Sequence, residues 1–164
     1  MLLLDQPAVA ATVIAALVCG LMGGLFFAFS NFVMQALARL PPPVGIAAMQ
    51  SINAVVLNRL FLTLFSGCAV LCLLLAVYAL AAWERPGSIW LLLGGALYCI
   101  GNFVVTAACN VPRNRALDRV DAANPAAEPA WRDYVTGWTR WNHVRTVTAL
   151  AAAAALIMAL IAGV

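Results

Sequence analysis

Four stretches of this chain carry no charged residue and are long enough to cross a bilayer, which confines the fold more than any other feature. They are Gln6 to Ala38, Leu60 to Trp83, Pro86 to Pro112 and Thr146 to Val164. A crossing takes about 20 apolar residues. Of the 164 residues, 65% are hydrophobic and 9% charged, where a soluble domain carries about a quarter charged. The expectation is all-α: an integral membrane four-helix bundle, one domain over 1–164, with helices extended on the cytoplasmic side. The spans fall near 8–30, 60–83, 88–110 and 144–163, with a cytoplasmic helix-loop region over 111–143. The first stretch does not read as a signal peptide, because Asp5 is the only charge ahead of it, its apolar core is too long and no clear cleavage site follows.

Prolines punctuate the helices. The first runs from about Pro7 to Arg39 and stops at Pro41-Pro42-Pro43, which forms a stiff link. The second is expected from near Val44 to Trp83, ahead of Arg85-Pro86-Gly87, and the third from Ser88 to Asn110, where Pro112 kinks or ends it. The segment from Asp121 to Pro129 is the one clear loop, and Pro129 suits the first turn of a last helix running to Ile161. Such helices measure roughly 45–55 Å at 1.5 Å per residue, more than a hydrocarbon core of about 30 Å. Gly20, Gly23, Gly24, Gly94 and Gly95 read as positions of close helix packing.

All nine basic residues are arginine. With four spans, Arg85 alone lies on the side of the termini, and Arg39, Arg59, Arg113, Arg115, Arg119, Arg132, Arg140 and Arg145 lie on the other. The positive-inside rule then places the arginine-rich end in the cytoplasm and both termini outside; a bacterial inner membrane is the expected location. Asp118, Asp121, Glu128 and Asp133 interleave with these arginines, a mixed patch that argues against nucleic acid. The expected partners are a hydrophobic small molecule and membrane lipid, with self-association into a homo-oligomer left open.

Five cysteines, Cys19, Cys68, Cys72, Cys99 and Cys109, all fall inside apolar spans and read as small packing residues rather than a disulfide framework. Cys68 and Cys72, four apart, share a helix face on which a metal or redox pair is conceivable. One histidine and scattered carboxylates do not suggest a zinc or iron site, and no metal or cofactor is expected. No nucleophile elbow or Ser-His-Asp order appears.

Polar groups at membrane depth are costly unless paired. Asn31 and Gln35 lie on the first helix; Gln50, Asn53 and Asn58 on the second; Asn102, Thr106 and Asn110 on the third, leading to Arg113 and Asn114; Asn142, His143 and Arg145 on the last. All fall toward the arginine-rich end. They read either as interhelical hydrogen bonds that fix the bundle's register or as the lining of a polar chamber. In the segment WTRWNHVRT and just before it, at about 100° per residue, Trp131, Trp138 and Asn142 share a sector flanked by Tyr134, Trp141 and Arg145. This face is either an interfacial aromatic belt or a wall for a flat ligand. His143 lies more than about 90° from Trp138 on a straight helix. With an ordinary pKa of about 6.5, imidazole is the side chain here suited to moving protons near neutral pH.

Three pieces resemble a family of small membrane proteins called anthrone oxygenase-like, formerly a domain of unknown function. They are FFAFSNFVMQALARLPP with AAMQSINAVVLN, within 26–58; GNFVVTAACNVPRNRAL, 101–117; and WTRWNHVRT, 138–146. They cover about half of the chain, in the family's order. The resemblance implies a four-helix membrane protein. Some fungal members oxidise anthrones to anthraquinones with molecular oxygen and no evident cofactor. Its recurring positions fall here on Asn110, Pro112, Asn114, Trp138, Trp141, Asn142, His143 and Arg145.

An anthrone methylene is acidic because its carbanion delocalises into the carbonyl and rings, and the resulting enolate reacts with oxygen directly. Such a site needs a base, a flat apolar slot and a partner for the enolate oxygen. For that chemistry His143 is the candidate base, the tryptophans the slot, and Arg145 with Asn142 or Asn114 the partners of the enolate oxygen; His143, Arg145 and Asn142 are the expected catalytic groups. Trp138, Trp141, Asn31, Gln35, Asn53, Asn102, Thr106, Asn110, Arg113 and Asn114 would bind substrate. The expected function is a cofactor-independent oxygenase of a hydrophobic polycyclic phenol or anthrone-like substrate. The alternatives are a non-catalytic membrane protein that binds a lipid, quinone or other amphiphile, and a structural membrane subunit.

Overall fold

The computed structural model describes residues 2–164, with side chains from Pro7 onward. Helix α1 is α-helical over Leu2–Ala28, π-helical over Phe29–Val33 and α-helical again over Met34–Ala38. Helix α2 covers Pro42–Val56 and α3 covers Arg59–Ala81. Helix α4 is α-helical over Ser88–Tyr98, π-helical over Cys99–Val104 and Thr106–Asn110, and α-helical over Val111–Asp118. After a short 3-10 turn at Pro125–Ala127, α5 runs unbroken over Glu128–Ala162. Four of the helical segments, Pro7–Ala38, Arg59–Ala81, Ser88–Asp118 and Pro125–Ala162, are long and apolar enough to cross a membrane. The chain is a helical membrane bundle.

One expectation about the helices is corrected. The second helix is not continuous from Val44 to Trp83. It begins at Pro42, where proline suits a first turn, and breaks at Leu57, whose ψ of 38° leaves the helical region. Asn58 then caps α3 by accepting a hydrogen bond from the Phe61 N–H, 3.0 Å. Of the two readings at Pro112, a kink or an end, the helix does not end there: it resumes over Val111–Asp118. The preceding stretch is wound as π-helix, with the Val111 N–H reaching the Thr106 carbonyl, so Pro112 stands in the first turn of the next α-helical stretch, where a missing N–H costs little. Arg113 Nη1 caps the Cys109 carbonyl at 2.7 Å.

Helix α5 is central, packing chiefly on α1 and α4, while α3 packs on α4 and α1. One apolar core fills the bundle between these four, with Ala15, Phe26, Phe65, Leu91, Tyr98 and Leu156 among its members. A second lies at the arginine-rich end, where α2 folds over α5; Met34, Ile46, Met49, Trp131, Tyr134 and Trp138 belong to it. Close approach accounts for Gly23, Gly94 and Gly95: a Cβ would meet Leu150 at 2.7 Å, Leu156 at 2.9 Å and the Cys72 carbonyl at 2.6 Å respectively. Gly20 and Gly24 instead face open space.

Candidate functional site

Where the two cores meet, the side chains enclose a cavity of about 100 Å³. Phe26 and Phe29 of α1, Met49 and Asn53 of α2, Phe61 of α3, Thr106, Asn110 and Asn114 of α4, and Trp138 and Arg145 of α5 all contribute to it. The exposed Leu57 marks its rim. The π segments of α4 bear on this arrangement, since Thr106 and Asn110 belong to one of them. Such departures from α-helix are common at functional sites.

Arg145 is the charged group of the cavity and is only 5% exposed. Its guanidinium carbon lies 4.3 Å from the centre of the Phe26 ring and 5.1 Å from that of Trp138, a cation–π clamp. Nη2 donates to the Asn142 carboxamide oxygen at 2.6 Å, and Nη1 donates to the Thr106 hydroxyl at 3.3 Å. The same Asn142 amide nitrogen donates to the Phe26 carbonyl and the Ser30 hydroxyl, 2.7 Å each. Asn142 therefore ties α5 to α1 and fixes the Arg145 fork. Among the described residues, no carboxylate pairs with this buried cation.

The bonding is incomplete among the residues around the cavity. Buried polar atoms in folded proteins almost always have a partner. Here the Arg145 Nε–H, the Trp138 Nε1–H and the Asn110 carboxamide oxygen have none within the protein. Asn110 Nδ2 donates to the Trp138 carbonyl at 3.3 Å, so its oxygen is the free end. Beyond Asn114 and Asn53 sits the Tyr134 hydroxyl, which donates to Asn114 Oδ1 at 3.0 Å and lies 3.4 Å from Asn53 Nδ2.

Of the residues singled out from sequence, the structure brings Asn53, Thr106, Asn110, Asn114, Trp138 and Arg145 to this cavity, with Asn142 directly behind Arg145. It separates the others. His143 is exposed on the far face of α5 and lines shallow clefts with Gln35 and with Asn31. It thus shares no pocket with Arg145 and Trp138, because successive residues of a helix turn by about 100°. Arg113 lines a groove with Asp133 and Gly137. Asn102 is fully buried deeper in the bundle, 3.1 Å from the Thr148 hydroxyl. Trp141 is half-buried away from the cavity.

Much of the aromatic face of α5 is packed inside the protein. Trp131, Tyr134 and Trp138 are buried and stack in succession, with centroids 5.8 and 6.3 Å apart. Trp131 packs on Gly45, where a Cβ would come within 2.8 Å of the ring. Of these two tryptophans, Trp138 is the one that reaches the cavity. Sequence reasoning missed Phe26, Phe29 and Phe61, which are indistinguishable from other apolar residues of their spans. It also missed Ser30, whose one signal is that it stands among apolar residues next to Asn31.

A family model described as anthrone oxygenase matches residues 54–155, well over half of the chain. That range contains the stretches 101–117 and 138–146 but only the last residues of the 26–58 stretch. No curated protein and no solved structure matches the chain.

Proposed function

The chain belongs to the anthrone oxygenase family, and on that premise we propose that it is a cofactor-independent oxygenase of a hydrophobic polycyclic phenol or anthrone-like substrate. The observation that carries this reading is a buried Arg145 at the cavity with no carboxylate partner among the described residues, its Nε–H unpartnered like the Nε1–H of the neighbouring Trp138. Two donors and a net positive charge, set in aromatic surroundings, form a seat for an oxygen that becomes negative. Preorganised donors of this kind act strongly because water is excluded around them.

The substrate carbonyl oxygen is received by Arg145 Nε and Trp138 Nε1 once the side chains that close off these two groups move aside. Loss of one methylene proton moves charge from the carbon onto that oxygen, where the guanidinium stabilises it. The enolate gives an electron to O2, the two radicals join through a new C–O bond, and the hydroperoxide expels water to leave the second carbonyl. One O2 is consumed for one quinone and one water, and the methylene carbon supplies all four electrons.

The residues lining the cavity include no carboxylate and no imidazole. We therefore propose that water at the open rim of the cavity, away from the Arg145 donors, takes the proton from a substrate acidified by Arg145, in place of the His143 base expected from sequence. Ligand pockets generally hold about 300–1,000 Å³, so a fused-ring substrate enters by displacing side chains, beginning with the exposed Leu57 at the rim. The orientation that puts the arginine-rich end in the cytoplasm remains part of the proposal and rests on the one-against-eight distribution of arginine.

The deciding measurement is anthrone-dependent oxygen uptake by the purified protein in detergent, set against spontaneous autoxidation and against Arg145→Met. Uptake well above background in the wild type, and lost in Arg145→Met, supports the oxygenase. Uptake at background together with saturable binding of a quinone, weakened by the same substitution, replaces it with the non-catalytic amphiphile-binding protein.

A further inference from the structure

Away from the Arg145 cavity, three thiols meet inside the apolar core. Cys19 comes from α1, and Cys68 and Cys72 come from adjacent turns of α3. They are buried to 0, 4 and 0% exposure. Their sulfurs lie 3.7 Å apart for Cys19–Cys68 and 4.0 Å apart for Cys68–Cys72, and all three fall within 4.8 Å of one another. Sequence spacing pairs Cys68 with Cys72 on one helix face; the packing of α1 against α3 adds Cys19 to them.

We propose that this triad is a binding site for a soft monovalent metal ion, Cu(I). A metal about 2.3 Å from each of three sulfurs, the usual metal–thiolate distance, and lying in their plane holds the sulfurs about 4.0 Å apart. The Cys19–Cys68 and Cys68–Cys72 separations lie close to that value, and the third, Cys19–Cys72, lies within 4.8 Å. Thiolate donors select soft ions, Cu(I) foremost among them, as well as zinc. Zinc at a closed site takes four ligands, whereas the described residues bring together three sulfurs and no carboxylate or imidazole. Three coordination in a dry apolar environment suits Cu(I). Binding releases thiol protons to the medium as thiolates form, and no electron is transferred.

The test is an anaerobic titration of the reduced, detergent-purified protein with Cu(I) against bicinchoninate, followed by X-ray absorption at the copper edge. The expected result is one tightly held equivalent per chain with three sulfur neighbours at about 2.3 Å. Cys19→Ala and Cys72→Ala are each expected to weaken binding at least 100-fold, while Cys109→Ala, remote from the triad in sequence and outside the cluster, leaves it unchanged. Uptake that survives Cys19→Ala overturns the site, as does stoichiometric zinc binding in preference to Cu(I). If the alanine variants do not fold, the wild-type absorption spectrum decides alone: no bound copper, or a shell without three sulfurs, overturns the proposal. None of these readouts depends on anthrone turnover.

Discussion

Arg145 and His143 are two residues apart on α5 yet face opposite ways: the guanidinium is buried over Phe26 and Trp138, and the imidazole is exposed beside Gln35. Two helical steps amount to roughly 200° of rotation, so the body of α5 stands between them. An oxygenase working at the Arg145 cavity therefore does not need the histidine. His143→Gln is expected to keep oxygen uptake within about twofold of wild type. Arg145→Met is expected to lose about 100-fold or more, the scale seen when one preorganised oxyanion donor is removed. Equal losses in the two variants, read as uptake above autoxidation, would return the chemistry to the His143 cleft.

Stability should separate from activity at the same residue. Arg145 has no carboxylate partner among the described residues and leaves its Nε–H unpaired. Removing the buried charge relieves its desolvation, while the Asn142 carboxamide oxygen loses its donor, at about 1–3 kcal/mol. The two effects oppose, so Arg145→Met is expected to melt near the wild-type temperature while losing activity. Asn142→Ala is expected to cost more. It removes the acceptor for Arg145 Nη2 and the donor to the Phe26 carbonyl and Ser30, leaving a buried cation and a buried carbonyl unsatisfied, at a cost of about 2–4 kcal/mol. Thermal unfolding of both variants in one detergent checks the pair.

The spans, the loop after Asp121 and the polarity of one bundle end were legible in the sequence, because hydropathy, proline and charge are local signals. The angular separation of His143 from Trp138 followed from the 100° period of α5 alone. The break at Leu57 was not legible, since apolar residues continue through it and the deciding signal is a single capping residue, Asn58. Nor was the division of the polar stripe on α4. Thr106 and Asn110 reach the cavity while Asn102 turns to Thr148, and that depends on π winding and on where α5 crosses. The third thiol of the cysteine cluster depends on the register between α1 and α3, which no periodicity within either helix records.

Trp138 offers a narrower test than truncation. Its ring stacks with Tyr134 and packs on Phe29, centroids 5.7 Å apart, while its Nε1–H is unpartnered. Trp138→Phe keeps an aromatic ring and removes the donor. A neutral hydrogen bond contributes about 0.5–1.5 kcal/mol net, so affinity for a quinone bound at the cavity is expected to fall about 2- to 12-fold. Unchanged affinity, measured by competition with anthrone, would mean that the indole N–H does not meet the ligand.

Glycine substitutions distinguish positions of helix contact from positions facing outward. At Gly101 an added Cβ would lie 2.4 Å from Thr148 Cβ, a branched side chain close to its own backbone that cannot swing aside. The hydroxyl of Thr148 also lies 3.1 Å from Asn102, so a shift of α4 disturbs a buried polar pair one residue along the chain. Gly101→Ala is expected to destabilise the bundle by about 1–3 kcal/mol through overpacking. At Gly24 nothing lies within 4 Å of the added Cβ and the residue is exposed. There alanine gains about 0.5–1 kcal/mol of helix preference over glycine, and Gly24→Ala is expected to raise the melting temperature. Opposite shifts in the two single variants would support α4–α5 packing at Gly101; a destabilising Gly24→Ala would indicate that a second protein surface covers that face of α1.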